Sequence, residues 1–144
     1  MTTPSSVPEH AQGAAGAPFD ELLTAARDVV RRAYAPYSGY SVGAAGRADD
    51  GRIVTGCNVE NAGYGVTLCA ECGMVSELIA GGGGKLTAFV CVNGQGDVIM
   101  PCGRCRQLLS EHAADDFAIL TPQGVRDLEG ILPQAFGPAD MGLA

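Results

Sequence analysis

Two cysteine pairs at one short spacing constrain this chain more than any other feature: Cys69-Ala70-Glu71-Cys72 and Cys102-Gly103-Arg104-Cys105, with 29 residues between them. A C-x-x-C step lets a tight turn or a first helical turn aim two sulfurs at one cation, and two such steps form a zinc-ligand pattern. The chain must therefore bring two distant turns to one point. Four thiolates would close the site and make it structural, whereas three would leave a position for water and make it catalytic. Glu71, inside the first pair, is a carboxylate that a closed structural centre does not need.

The rest of the composition narrows what such a centre can serve. A chain of 144 residues suits one domain with a buried core. No apolar run approaches the roughly 18 residues of a membrane span, which predicts a soluble protein without a membrane partner. The net charge of −7 gives no field that would gather a phosphate backbone, so nucleic acid is a poor partner and a small neutral substrate a better one. Residues 1–17, rich in Thr, Pro, Ser, Gly and Ala, lack the basic and apolar regions of a secretory signal and read as a disordered tail, leaving 18–144 as one catalytic domain. Six cysteines without such a signal point to metal binding in a reducing compartment, the cytoplasm.

Along the chain, Phe19, Leu22, Leu23, Ala26, Val30, Ala33 and Tyr34 recur at helical spacing until Pro36, predicting a helix with one apolar face. Extended segments over 40–48 and 52–59, joined by Asp49-Asp50-Gly51, predict a hairpin. Met74, Val75, Leu78 and Ile79 then carry a helical stripe that ends at Gly81 to Gly84, so the first C-x-x-C lies at a helix start. Leu86 to Val92 reads as a central strand covered on both faces, Asp97 to Met100 as a short extension. The second C-x-x-C opens another helix, which Leu108 and Leu109 continue. Phe117 to Thr121 reads as a strand, Pro122-Gln123-Gly124 as a turn, and Leu128 to Ala135 as a closing helix. Cys57 and Cys91, in strands, read as inert buried thiols, and His112 as a favourable charge at a helix C-terminus. The expected fold is α/β (α+β): a three-layer α-β-α sandwich around a mixed, about five-stranded sheet.

A metal set between two helix starts has consequences for its ligands. Helix N-termini present partial positive charge and free N–H groups, which favour the thiolates that zinc needs. Zinc in an open site lowers the pKa of water towards about 7. Glu71 could then face the cavity without ligating, take a proton from that water and deliver it to a substrate nitrogen. Such an arrangement is able to carry out hydrolytic deamination.

Three cysteines with a non-ligating Glu, as Cys69-x-Glu71 and Pro101-Cys102-x-x-Cys105, match the pattern of zinc deaminases. Tyr34-Ala-Pro-Tyr37-Ser38, Val42-Gly-Ala-Ala45, Gly56-Cys57-Asn58-Val59-Glu60-Asn61 and Leu132-Pro-x-Ala-Phe136 occur with it, in order, over residues 19–140. The chain resembles the short, homotetrameric cytidine deaminases. The resemblance implies one zinc per subunit on Cys69, Cys102 and Cys105, with Glu71 protonating N3 and then the leaving amine as cytidine or deoxycytidine becomes uridine or deoxyuridine in pyrimidine salvage. It also implies ribose contacts from Asn58 and Glu60, a pyrimidine-stacking position at Tyr40, a substrate contact at Ala70, and a Phe136 that reaches a neighbouring subunit's site.

Two positions depart from the family. An Arg is common directly after the catalytic Glu, where this chain has Cys72, and a small residue is common where it has Arg104. Three thiolates leave a zinc site with net negative charge, so a guanidinium donating to a ligand sulfur would restore the balance; Arg104 is the expected source. The rival readings are a closed four-cysteine zinc module for protein binding, a thiol oxidoreductase using one C-x-x-C, and a deaminase of another amine on the same fold.

Overall fold

The computed structural model describes residues 9–143, with side chains from Phe19 onward. Helix α1 (Glu9–Val29) runs into a 3-10 turn at Val30–Arg32, followed by the hairpin β1 (Val42–Ala48) and β2 (Ile53–Cys57). Helix α2 (Ala70–Ala80), β3 (Leu86–Asn93), β4 (Val98–Ile99), α3 (Gly103–His112), β5 (Ala113–Thr121), β6 (Gly124–Asp127) and α4 (Leu128–Ile131) complete the chain apart from two 3-10 turns. Part of the expected tail, residues 1–8, lies outside the described residues; the backbone of α1 begins at Glu9, in a stretch whose alanines favour helix.

The sheet is mixed, in the order β2-β1-β3-β5-β6 with β4 also paired to β3. Only β3 and β5 run parallel; the other pairs are antiparallel. Six strands replace the expected five. The addition is β6, where Val125 is the one large apolar side chain in Gly124–Asp127, too few for an alternating pattern to register. The closing helix is also shorter than the expected 128–135. Asp127 caps it by accepting from the Gly130 backbone N–H at 2.8 Å, and Pro133 cannot donate to continue it.

Alternation along β3 sends side chains to both faces, as its position between β1 and β5 requires. Val90 and Val92 pack with Phe19, Leu22 and Ala26 of α1. Leu86, Phe89 and Cys91 pack with Met74 and Leu78 of α2 and Leu109 of α3. The three layers are thus α1, the sheet, and α2 with α3. Each fully buried Leu or Phe contributes about 1.5–3 kcal/mol relative to exposure, so both helices that carry the cysteine pairs are anchored by their own apolar stripes.

Gly56 sets how closely α2 approaches the sheet. A Cβ at this position would lie 2.2 Å from the Ala70 carbonyl oxygen and 2.4 Å from the Met74 nitrogen. The first turn of α2 therefore rests on the bare backbone of β2.

Candidate active site

Both cysteine pairs begin helices. Cys69 is the N-cap of α2 and Cys102 the N-cap of α3, with Cys105 in the first turn of α3. The parallel β3–β5 crossover carries α3 back across the same face as α2, which sets the two N-termini side by side. Sγ atoms of Cys69, Cys102 and Cys105 all lie within 4.8 Å of one another. Zinc–sulfur bonds of about 2.3 Å place tetrahedral sulfurs roughly 3.8 Å apart, and thiolates are soft donors suited to zinc. The trio fits one zinc ion after a small contraction. Cys72, on the next residue but two after Cys69, is not part of this group.

The thiols are unequal. Burial works against ionisation of Cys102, but the N–H groups of Cys105 and Arg104 at the start of α3, together with the Cys105 thiol, hold its pKa below the ordinary thiol range. Burial raises Cys69, with the charges of Cys102, Glu71 and Cys72 adding to the effect. Burial and the neighbouring Glu71 push Cys105 far up. A divalent cation reverses this by compensating the negative charge that the protein alone does not, which couples binding to proton release.

Glu71 is 4% exposed, an unusual depth for a carboxylate. It sits in the first turn of α2, where the helix dipole favours its charge. Cys91, expected to be an inert thiol of β3, is indeed buried; it donates to the Ile99 carbonyl at 3.2 Å, and burial first, then the neighbouring Glu71, raises its pKa well above the usual value. Cys57, expected to be buried, is only half-buried because it ends β2, at the sheet edge.

A pocket of about 310 Å³ opens over the sulfurs, lined by Tyr40, Val42, Asn58, Thr67, Leu68, Cys69, Ala70, Glu71, Ile99, Met100, Pro101 and Cys102. Tyr40, Asn58 and Ala70 therefore share a cavity with Glu71 and two of the three cysteines. Asn58 is oriented by accepting from the Val42 N–H at 2.9 Å and donating to the Tyr40 carbonyl at 2.9 Å. Thr67, Leu68, Ile99 and Met100 are lining residues that the sequence reading did not single out; their signal was adjacency to the two cysteine pairs.

Two predicted contacts stand apart. The Glu60 carboxylate accepts from the backbone N–H groups of Tyr37 at 2.9 Å and Ser38 at 3.1 Å and is not among the lining residues. Phe136 is exposed, outside the pocket, with its carbonyl accepting from Gln107 at 2.9 Å. Arg104, also exposed, extends from α3 to the start of α2. Its Nη1 lies 3.6 Å from Cys69 Sγ and 3.6 Å from Cys72 Sγ.

A profile of the cytidine and deoxycytidylate deaminase zinc-binding region matches residues 19–121, spanning both cysteine pairs. The chain belongs to this deaminase family. It is 57% identical over 109 residues to the cytidine deaminase of Mycobacterium tuberculosis, covering 76% of this chain and 82% of the relative. The cytidine deaminase of Sporosarcina psychrophila is 32% identical over 130 residues, covering 87% and 96%. Among solved structures, the cytidine deaminase of Mycobacterium leprae superposes with a TM-score of 0.79 at 54% identity, over 82% of this chain and 99% of that one. The Mycobacterium tuberculosis enzyme gives 0.81 at 52% identity, over 84% and 98%. The mixed sheet of this deaminase, with α2 and α3 delivering the cysteines, is thus the family architecture, and the metal its profile specifies is zinc.

Proposed function

We propose that the chain catalyses hydrolytic deamination of cytidine and deoxycytidine, releasing ammonia and forming uridine and deoxyuridine, as a cytoplasmic step of pyrimidine salvage. The observation that carries this reading is a buried carboxylate, Glu71, beside three convergent cysteine sulfurs in a pocket sized for a nucleoside. No basic side chain occurs among the described lining residues, which favours an uncharged nucleoside over its phosphate. No helix among the described residues is long and apolar enough to cross a membrane.

Cys69, Cys102 and Cys105 would hold one zinc ion. When bound, zinc supplies the Lewis acidity that makes a water nucleophilic near neutral pH. Glu71 accepts that water's proton and gives it to ring N3, which makes C4 electrophilic. After the hydroxide that remains has added at C4, the same carboxyl moves the proton of the new C4 hydroxyl to the exocyclic nitrogen, so that C4=O forms as the C4–N bond breaks and ammonia leaves rather than an amide anion. Its burial keeps the carboxyl from exchanging protons freely with solvent. Tyr40 offers an aromatic face to the pyrimidine. Asn58 retains a free N–H and a lone pair for a ribose hydroxyl, while Ala70 contributes backbone at the pocket floor. Glu60 is assigned to the sugar beside Asn58 through its Oε2, since the Tyr37 and Ser38 amides both bind Oε1. Arg104 donates to the Cys69 sulfur and offsets the excess negative charge of a three-thiolate centre.

We also assign the chain to a homotetramer in which active sites are shared. Tyr34, Tyr37, Tyr40, Val59, Tyr64, Leu68 and Phe136 are all exposed; Tyr34 and Leu68 each bridge to Val59, and Tyr40 and Leu68 line the pocket. Exposed large apolar side chains of this kind, two of them at the pocket, support an interaction surface, and Phe136 is the residue that would reach a neighbour's pocket.

The test follows the fall in cytidine absorbance with purified protein, before and after chelation and with Glu71→Gln alongside, using deoxycytidine and deoxycytidylate as comparison substrates. Turnover of both nucleosides, lost on chelation and in Glu71→Gln, supports the reading. Activity that survives both treatments overturns it.

A further inference from the structure

Two features at the site are left without a role by three-sulfur coordination: Cys72, which stands outside the cluster, and the question of what fixes a long exposed arginine over Cys69. Each supplies what the other lacks. Cys69 and Cys72 are the N-cap and first-turn residues of α2, joined by a bond from the Cys72 N–H to the Cys69 carbonyl at 3.0 Å. Cys69 has extended backbone as the N-cap, yet both sulfurs face one donor. Arg104 Nη1 meets both at 3.6 Å, and the two hydrogens of that nitrogen allow one donation to each.

Arg104 makes no other side-chain hydrogen bond among the described residues, and the ion pairs there belong to Arg47 with Glu21 and Arg52 with Asp50. An exposed arginine loses considerable rotamer entropy when it is held in one place. One weak N–H···S contact does not offset that, so a single contact to Cys69 would leave the guanidinium swinging through solvent. A second sulfur at matched distance makes a two-point cradle.

We propose that Cys72 is a positioning residue: its sulfur anchors the Arg104 guanidinium so that the same nitrogen stays against the Cys69 sulfur. The role rests on the reading of Cys69 as a zinc ligand and of Arg104 as its charge partner. Cys72 does not ligate and does not touch substrate; it acts through Arg104 by keeping that donor in place as charge changes at the metal. The spacing of the first cysteine pair then has two separate uses, one sulfur for the metal and one for the arginine.

A double-mutant cycle tests this on the zinc enzyme and on its cobalt(II)-substituted form, using Cys72→Ala, Cys72→Ser, Arg104→Gln and the double variant Cys72→Ala/Arg104→Gln. Loss of a partner behind a metal ligand costs about tenfold or more in activity or affinity. Cys72→Ala is expected to lower kcat by about that factor with KM within about twofold of wild type and zinc stoichiometry intact. Its sulfur-to-cobalt charge-transfer band moves to longer wavelength, because a ligand sulfur that loses a donor holds its electrons less tightly. Cys72→Ser, which keeps an acceptor, falls between wild type and Cys72→Ala. The decisive arm is the double variant, which is no worse than Arg104→Gln alone, since coupled residues are not additive. A Cys72→Ala defect of full size in the Arg104→Gln background overturns the proposal, as does zinc loss in Cys72→Ser, which would make Cys72 a ligand. If Arg104→Gln impairs the enzyme while Cys72→Ala leaves kcat and the cobalt band unchanged, the anchor is refuted and the role of Arg104 stands. A silent Arg104→Gln removes both.

Discussion

Nη1 of Arg104 lies 3.6 Å from Sγ of Cys69, so a side chain from the first turn of α3 reaches the residue that begins α2. The proposed role of this contact is to tune the charge of a thiolate centre from the opposite helix. Arg104→Gln is expected to lower kcat about tenfold without unfolding the protein. Adding Cys72→Arg to that variant returns a guanidinium from α2 and recovers a large part of the loss. Steady-state kinetics on the three proteins check this, and a double variant no better than Arg104→Gln would count against charge compensation.

Glu71→Gln keeps the shape of a buried side chain and removes its ability to take a proton. General acid–base catalysis contributes about 10²–10⁴-fold, so kcat is expected to fall by at least that factor while metal content and thermal midpoint change little. Cytidine absorbance and metal analysis measure the two halves of this statement. Residual activity within tenfold of wild type would remove Glu71 from the chemistry.

Gly56→Ala places a Cβ where the backbone of α2 already lies, 2.2 Å from the Ala70 oxygen. Both neighbours are backbone, so α2 must shift. The expected cost is about 1–3 kcal/mol or more, with weaker zinc retention because Cys69 and Glu71 ride on the displaced turn. Gly65→Ala, whose Cβ meets nothing within 4 Å, serves as the control and is expected to stay within about 0.5 kcal/mol. Thermal melts and zinc transfer to a chromophoric chelator distinguish the pair.

Glu60 predicts a pH dependence of stability. Ser38, through its side chain and its backbone N–H, and then the Tyr37 N–H hold the carboxyl below the ordinary glutamate value of 4.5. A folded-state pKa below the unfolded one means stability that is present above pH 4.5 and lost as pH falls through the lowered folded value. The difference in thermal midpoint between wild type and Glu60→Gln is therefore expected to be constant near neutrality and to shrink in acid. A difference that grows on acidification would contradict the assignment.

The proposed sharing of sites predicts that two inactive variants complement one another. Glu71→Gln subunits retain Phe136, and Phe136→Ala subunits retain Glu71, so mixed assemblies contain some complete sites. Refolding the two together is expected to yield more activity than the sum of the separate proteins. Purely additive activity from verified mixed assemblies would place Phe136 outside the neighbour's site.

Much of this architecture was legible before any coordinates. Apolar stripes beginning just after each cysteine pair predicted two helix starts, and Leu86 to Val92 predicted the central strand, because long amphipathic or fully apolar segments have few alternative homes. The sixth strand escaped because an edge strand such as β6 can form with one apolar residue when its partner β5 supplies the hydrogen bonds. The resemblance makes Glu60 a ribose contact, and the structure adds a second engagement that residue type does not reveal: its Oε1 accepts from the Tyr37 and Ser38 amides.

What the sequence by itself determined is the chemistry: which residues can hold zinc, which carboxylate can move a proton, and that both pairs sit at helix N-termini. Tertiary structure decided which sulfurs are equivalent. Cys69 and Cys72 have the same local spacing as Cys102 and Cys105, and nothing local separates them. The β3–β5 crossover breaks that symmetry by fixing how α3 faces α2. Three sulfurs then converge on one point, while the fourth turns to an arginine that reaches across from the other helix.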